Sequence, residues 1–285
     1  MMIFPPKKSL GQNFLTCPWV GEAMLQSAEL NLGDTVLEIG PGRGALTHAL
    51  AATGAHIIAI EKDEALAATL AEELEGKNAC VKIIADDILT WFPRAQKNGT
   101  LPAGYKVVAA IPYYLTARLI RVLLQREPRP ERIIITIPHA VAKRIVAIPP
   151  HMNLLALAVQ VYGVPRIIKT VPATCFDPPP KIESAILEIS GISDDFFQKE
   201  RITQEDFFAL VRIAFSQKRK TLVNSLGTMY TKKLIEQALD TRNLPRNTRP
   251  QELSRECWVC LVRTLASMSV IPSPDSVGAR NPDNY

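Results

Sequence analysis

Glu38-Ile39-Gly40-Pro41-Gly42-Arg43-Gly44 sets a carboxylate beside three glycines at alternate positions. Glycines spaced in this way let a backbone turn tightly and come close to a ligand. Glu61 stands 21 residues after Gly40, and Asp86-Asp87 close a later apolar run. A carboxylate placed like Glu61 can accept hydrogen bonds from both hydroxyls of a ribose. An Asp at position 86 or 87 can accept from an adenine amino group. A dinucleotide would bring a pyrophosphate onto the glycine loop, where Glu38 would repel it. S-adenosylmethionine has no phosphate, and its amino and sulfonium groups are cationic, so the same carboxylate favours it. The acidic rim therefore points to S-adenosylmethionine and away from a nicotinamide dinucleotide.

Those residues need a scaffold, and the apolar pattern supplies one. Residues 35–39, 56–60, 81–84, 106–109 and 132–137 read as strands. Residues 45–53, 64–75, 116–125 and 141–148 have helical spacing between them. Strands alternating with helices imply a mostly parallel, doubly wound α/β sheet of Rossmann-like type, with ligands at the carboxyl ends of its strands. Residues 154–162 and 184–189 read as later strands, forming an antiparallel edge. From residue 203 onward Phe207, Phe208, Val211, Ala214 and Phe215, then Leu234, Ile235, Ala238 and Leu239, recur at helical spacing. The expected organisation is a Rossmann-like methyltransferase domain over 1–190, a small all-α domain over 191–269, and a disordered tail over 270–285.

The chain has 285 residues and a net charge of +5. Residues 1–200 hold 20 Lys/Arg and 20 Asp/Glu, whereas residues 201–263 hold 12 and 6. The positive excess is thus confined to the helical region, as expected where a polyanion docks. No apolar run approaches the length of a membrane helix, and the start of the chain lacks a signal-peptide core, so a cytoplasmic location without membrane contact is expected. Cys17, Cys80, Cys175, Cys257 and Cys260 are odd in number and scattered, which fits a reducing compartment rather than a disulfide framework. Cys257-Trp258-Val259-Cys260 lacks two further ligands nearby, so it reads as helix core and no metal is expected.

Four motifs in order resemble the ribosomal RNA adenine N6,N6-dimethyltransferase family. Lys8-Ser9-Leu10-Gly11-Gln12-Asn13-Phe14-Leu15 is similar to its N-terminal cofactor motif, and Ala110-Ile111-Pro112-Tyr113 to its catalytic loop. Phe176-Asp177-Pro178-Pro179-Pro180-Lys181-Ile182-Glu183-Ser184 is similar to its target-base motif. Phe215-Ser216-Gln217-Lys218-Arg219-Lys220-Thr221-Leu222 is similar to the basic helix of its C-terminal domain. The resemblance implies transfer of methyl groups from S-adenosylmethionine to N6 of two adjacent adenosines in the 3′-terminal hairpin of small-subunit rRNA, within the assembling subunit. It implies cofactor contacts from Gln12, Asn13, Leu15, Glu38, Gly40, Gly42, Gly44, Glu61, Lys62, Asp86, Asp87 and the 110 position. It also implies base positioning by Pro112, Tyr113 and Phe176, RNA contacts from Lys218, Arg219 and Lys220, and a monomer. The Lys218-Arg219-Lys220 cluster with Asn224-Ser225-Leu226 looks more like the small-subunit branch than the large-subunit branch that confers antibiotic resistance.

One position departs from the family. Ala110 stands where the family has Asn, whose side chain is thought to accept from the adenine amino group beside a backbone carbonyl near the Pro. An adenine amino lone pair is delocalised into the ring, and acceptors on its hydrogens help to localise it. Losing one preorganised acceptor costs a factor of ~100 or more in rate. An introduced substitution and a natural weakening of catalysis both account for Ala110, and the intact remainder of the site favours the former. A non-catalytic assembly factor that binds the small subunit is the alternative that Ala110 supports. A small-molecule methyltransferase would not need the basic helical region. Ile137-Pro138-His139 replaces a polar run of the family, and His139 is assigned no role because this chemistry requires no histidine base.

Overall fold

A computed structural model describes residues 5–76, 78–217 and 219–268. They form two compact units, the first reaching Lys143 and resuming over Gly163–Ile192, the second taking Arg144–Tyr162 and the chain from Ser193 onward. The first begins with β1 (Phe14–Leu15) and α1 (Pro18–Ala28), followed by β2 (Thr35–Ile39), α2 (Ala45–Ala51), β3 (His56–Glu61) and α3 (Glu64–Leu74). It continues through β4 (Val81–Ala85), α4 (Ile88–Lys97), β5 (Lys106–Ala110), α5 (Thr116–Gln125) and β6 (Arg132–Pro138). Helix α6 (His139–Ile145) runs across the boundary to α7 (Leu154–Gln160), and the chain returns as β7 (Val164–Val171), β8 (Phe176–Asp177) and β9 (Ser184–Ser190).

The main sheet has the order β4-β3-β2-β5-β6-β9-β7. Its first five strands are parallel, and β9 and β7 are antiparallel, the edge expected for residues 184–189. Strands β2, β5, β6 and β9 are buried along nearly their whole length, as strands covered on both faces must be. Parallel register puts Ile39 beside Ile60, Glu61 beside Ala85, and Ala110 beside Thr136. The carboxyl ends of β2 to β6 therefore share one edge. Strand order reverses between β2 and β5, and that switch point opens a crevice between their ends.

The second unit is helical: α7 joins α8 (Asp195–Glu200), α9 (Gln204–Phe215), α10 (Leu222–Leu226), α11 (Lys232–Asp240) and α12 (Arg255–Met268). Tyr162, Phe196, Phe197, Phe207 and Phe208 pack ring to ring, and Phe215 meets Trp258 at 5.8 Å between centroids.

Residues 154–162, expected as a strand within a continuous 1–190 domain, instead supply α7 to the helical unit. A short apolar run is ambiguous in period, and Leu and Ala are good helix formers. The Asn153 side chain decides the matter locally by accepting from Ala156 N at 3.1 Å as an N-cap. Among the elements that escaped the pattern, three carry a Pro. Helix α1 begins at Pro18, α4 contains Pro93 in its interior, and β7 carries Pro165 at its second position. A Pro argues against both element types, yet it is tolerated at a helix start and on an edge strand. Residues 270–285, expected as a tail, lie outside the described residues.

The cysteine expectation is also corrected. Cys17 and Cys175 form a disulfide across a sequence separation of 158, with Cα atoms 5.0 Å apart. Antiparallel pairing of β1 with β8 brings these distant residues together. Cys257 and Cys260 lie half-buried on α12, and Cys260 Sγ is 3.2 Å from the Thr241 hydroxyl.

Candidate active site

The first unit holds an open cleft of about 760 Å3 at the carboxyl edge of its sheet. A smaller recess of about 340 Å3 shares Asn13, Phe14, Gly40, Gly42 and Ala110 with it and reaches Glu38. The glycine loop forms the floor. Gly40 and Gly42 have φ of 69° and 58°, the left-handed region that L side chains avoid. At Gly42 a Cβ would also stand 2.9 Å from the Phe14 ring, so this close approach needs a glycine.

Two carboxylates flank that loop. Glu38 is 1% exposed, and burial pushes its carboxyl up to about 8, with the Glu61 charge adding to the rise. Its Oε2 is a buried acceptor with no hydrogen-bond partner among the described residues. Glu61 is raised as well, chiefly by burial. Its oxygens accept from Gly42 N at 3.0 Å and Asp63 N at 2.9 Å, tying the glycine loop to the end of β3. Glu61 also lines the cleft.

The Asp86-Asp87 pair lines the opposite side, and both residues already have local tasks. Asp87 accepts from Leu89 N at 2.9 Å as the N-cap of α4, and its second oxygen meets Lys62 Nζ at 2.8 Å. The Lys62 ammonium helps to hold the Asp87 carboxyl below its usual range against the opposing effect of burial. Asp86 accepts from Thr90 and pairs with Arg94.

The N-terminal motif closes a third side. Gln12 receives a hydrogen bond from Lys7 N at 2.7 Å and donates to Asp63 at 3.1 Å, while Asn13 donates to Gly11 O at 3.2 Å. Leu15 lies in β1 opposite Phe176 of β8 and borders the recess. Ala110 ends β5 and lines the cleft with no side-chain acceptor, with Pro112 and Tyr113 following at the rim. The Tyr113 hydroxyl is hydrogen-bonded to Ser184, which fixes the ring against β9. Phe176 is buried to 5% exposure and forms part of the wall.

Two groups of expected residues lie elsewhere. Gly44 borders neither the cleft nor the recess; it starts α2 with φ of 80°, where a Cβ would be 2.5 Å from Leu70 of α3. Arg219 and Lys220 are exposed in the second unit, and Lys218 lies outside the described residues. Arg219 and Lys220, expected on a helix, lie in the turn between α9 and α10, because Thr221 starts α10 by accepting from Asn224 N. Other residues were missed. Lys7 and Asp63 pair at 2.8 Å, with Asp63 capping α3. Arg43 reaches Asp177 at 2.7 Å and lies over the Phe14 ring at 4.2 Å. The N-cap position of Asp63 was readable from the run Glu61-Lys62-Asp63-Glu64, whereas nothing local signals the Arg43–Asp177 pair.

These residues fit S-adenosylmethionine. A buried carboxylate with one unpartnered oxygen beside a glycine cradle suits a cationic amino group, and the Glu61 and Asp86-Asp87 walls offer acceptors for a nucleoside.

Known proteins resemble this chain over most of its length. The family described as ribosomal RNA adenine dimethylase matches residues 3–267. A protein of Dehalococcoides mccartyi strain 195 named ribosomal RNA small subunit methyltransferase A is 36% identical over 262 residues, covering 90% of this chain and 88% of that one. A protein of the same name from Moorella thermoacetica is 36% identical over 269 residues, covering 91% and 92%. Among solved structures, a dimethyladenosine transferase of Plasmodium falciparum superposes with a TM-score of 0.73 at 22% identity, covering 89% of this chain and 98% of that one. The 23S rRNA methyltransferase ErmE gives 0.70 at 24% identity, covering 89% and 100%. At such identities the structural likeness speaks for the fold, and the sequence matches carry the assignment: the chain belongs to the ribosomal RNA adenine dimethylase family.

Proposed function

We propose that this chain methylates N6 of two adjacent adenosines in the 3′-terminal hairpin of small-subunit rRNA, as a monomer acting on the assembling subunit in the cytoplasm. The observation that carries the reading is that the recess reaching Glu38, whose buried Oε2 has no partner among the described residues, shares Gly40, Gly42 and Ala110 with the cleft lined by Pro112, Tyr113 and Phe176. Among the described residues no helix is long and apolar enough to cross a membrane.

S-adenosylmethionine supplies the methyl group. The chain's residues bind and orient. Glu38 neutralises the amino-acid end of the cofactor, Glu61 accepts from the ribose hydroxyls, and Asp86 or Asp87 accepts from the adenine ring, with Gln12, Asn13, Leu15 and Lys62 completing the wall. A substrate adenine leaves its stack to enter such a site. Tyr113 and Phe176 offer ring faces to it, each contact contributing ~1–3 kcal/mol. Backbone carbonyls beside Pro112 accept one amino hydrogen; the Ala110 methyl accepts nothing. Bound S-adenosylmethionine would donate its methyl to N6 of the base held by these residues, and the displaced amino proton would leave to water. In-line positioning does most of this work, and no covalent enzyme intermediate is required. Arg219 and Lys220, with Lys218, grip phosphates without reading sequence.

The test compares this chain with Ala110→Asn, using labelled S-adenosylmethionine and small subunits lacking the modification. The expected gain in rate is ~100-fold or more. Binding of subunits by both proteins with transfer by neither would replace the enzyme reading with that of a non-catalytic assembly factor.

A further inference from the structure

The Cys17–Cys175 disulfide borders the cleft wall without lining it, and the proposed reaction does not use it. Cys17 follows β1 by one residue and Cys175 directly precedes β8. Between them Thr16 N donates to Cys175 O at 2.9 Å. The linked strands carry Phe14 and Phe176, two apolar residues of the cleft wall. A ladder of two residues per strand is too short to persist by its own hydrogen bonds. Its other ties are the partly exposed Arg43–Asp177 pair, the contact of Arg43 with the Phe14 ring, and the burial of Phe14 and Phe176. The covalent link adds to these in holding the position of this wall. Its two sulfurs are not equivalent: Cys175 is 4% exposed within an apolar cluster, whereas Cys17 is half-buried and within reach of solvent.

We propose that Cys17 and Cys175 are a thiol–disulfide exchange site whose state sets the order of the β1–β8 pair. The expected effect on the cofactor rests on the reading of residues 12–15 given under Proposed function. A disulfide in a reducing compartment is typically transient or redox-sensing rather than a permanent staple. The reductant is a small-molecule dithiol. One of its thiolates attacks Cys17 Sγ, the Cys17–Cys175 bond breaks, and Cys175 leaves as a thiolate that takes a proton. The reagent's second thiolate then attacks the mixed disulfide, releasing Cys17 as a thiol and closing the reagent into a cyclic disulfide. Two electrons pass from reagent to protein, and the reverse exchange restores the bond.

The test uses the full chain with Cys80→Ser, Cys257→Ser and Cys260→Ser, so that only the pair reports. The protein is poised in mixtures of reduced and oxidised dithiothreitol. Free thiols are counted by alkylation and mass spectrometry, amide exchange is followed over residues 12–17 and 173–177, and S-adenosylmethionine binding is measured by calorimetry. The expected result is one two-electron transition, with protection of both segments lost on reduction. Cofactor affinity falls about threefold to tenfold, the usual effect of leaving side chains unordered. Adding Cys17→Ser or Cys175→Ser holds the protein in the weak-binding state at every poise. Two free thiols at every poise, none at any poise, or protection indifferent to the transition overturns the proposal. Lost protection with unchanged affinity supports the exchange site and removes β1 from the cofactor's contacts. Failure to bind S-adenosylmethionine at all condemns the cofactor reading, while the protection data still decide the exchange site.

Discussion

Glu38 shows how a buried group ties ligand binding to stability. Its carboxyl titrates near 4.5 in the unfolded chain and at about 8 in the fold. The fold therefore holds a proton that the unfolded chain releases between those values. The associated stability is fully present below about 4.5 and is lost as pH rises through about 8. Glu38→Gln removes this dependence. Thermal and denaturant unfolding at pH 5, 7 and 9 should show the variant more stable than its parent at pH 9, by about 2–4 kcal/mol, with little difference at pH 5. Cofactor binding should show the opposite preference, because a cation draws the carboxyl to its ionised form. At pH 7 calorimetry in buffers of differing ionisation enthalpy should record proton release on binding, and Glu38→Gln should bind at least tenfold more weakly. Equal affinity of parent and variant would mean that the recess does not receive the amino group. At this scale Glu38, Glu61 and Asp86-Asp87 were legible because each stands at the end of an apolar run. Arg43 and Asp177, 134 residues apart, were not, because only the fold brings their chain segments together.

Elements were legible where period and end signals agreed, as in β2 to β6, α2, α3 and α5. They were lost where a short apolar run or an internal Pro left the period ambiguous: α7 read as a strand, and α1, α4 and β7 left no usable signal. The glycine loop shows that motif membership can conceal two different tasks. Gly42 has a wall residue against its α-carbon and its amide on Glu61, whereas Gly44 makes room for Leu70 where α2 meets α3. Gly44→Ala must place a Cβ into Leu70 at a left-handed φ, so unfolding free energy should fall by about 2–4 kcal/mol. Cofactor affinity at low temperature should change less than threefold. Gly42→Ala pushes Phe14 instead, and its main cost should be a cofactor affinity lowered at least tenfold, since the wall itself moves. Calorimetric titration beside denaturant melts of both variants separates the two effects. A larger loss of binding in Gly44→Ala than in Gly42→Ala would return Gly44 to the cofactor's contacts.

Over the whole chain, charge divides more sharply than its total suggests. Residues 1–200 sum to zero and residues 201–263, a stretch of the helical unit, to +6, so that stretch has the field that a polyanion meets at long range. The cleft, lined by Glu61, Asp86 and Asp87, belongs instead to the sheet unit and suits a cationic cofactor. This division was legible in composition, while the transfer of α7 to the helical unit was not, because chain order does not report which unit a segment packs into. Arg219 and Lys220 are exposed in the turn between α9 and α10, without the regular spacing that a helix would impose. Changing both to Ala should weaken binding of the rRNA hairpin and flatten its dependence of log K on log salt by ~1.4–1.8, the loss expected for two phosphate contacts. Because these contacts neutralise phosphates rather than read bases, the loss should be equal for hairpins of altered loop sequence. S-adenosylmethionine affinity should stay within twofold, since neither residue belongs to the unit that holds the cleft. Binding measured from 50 to 300 mM salt decides the matter. An unchanged slope would place the phosphate contacts elsewhere on the chain, and a loss confined to one loop sequence would assign the turn to base recognition.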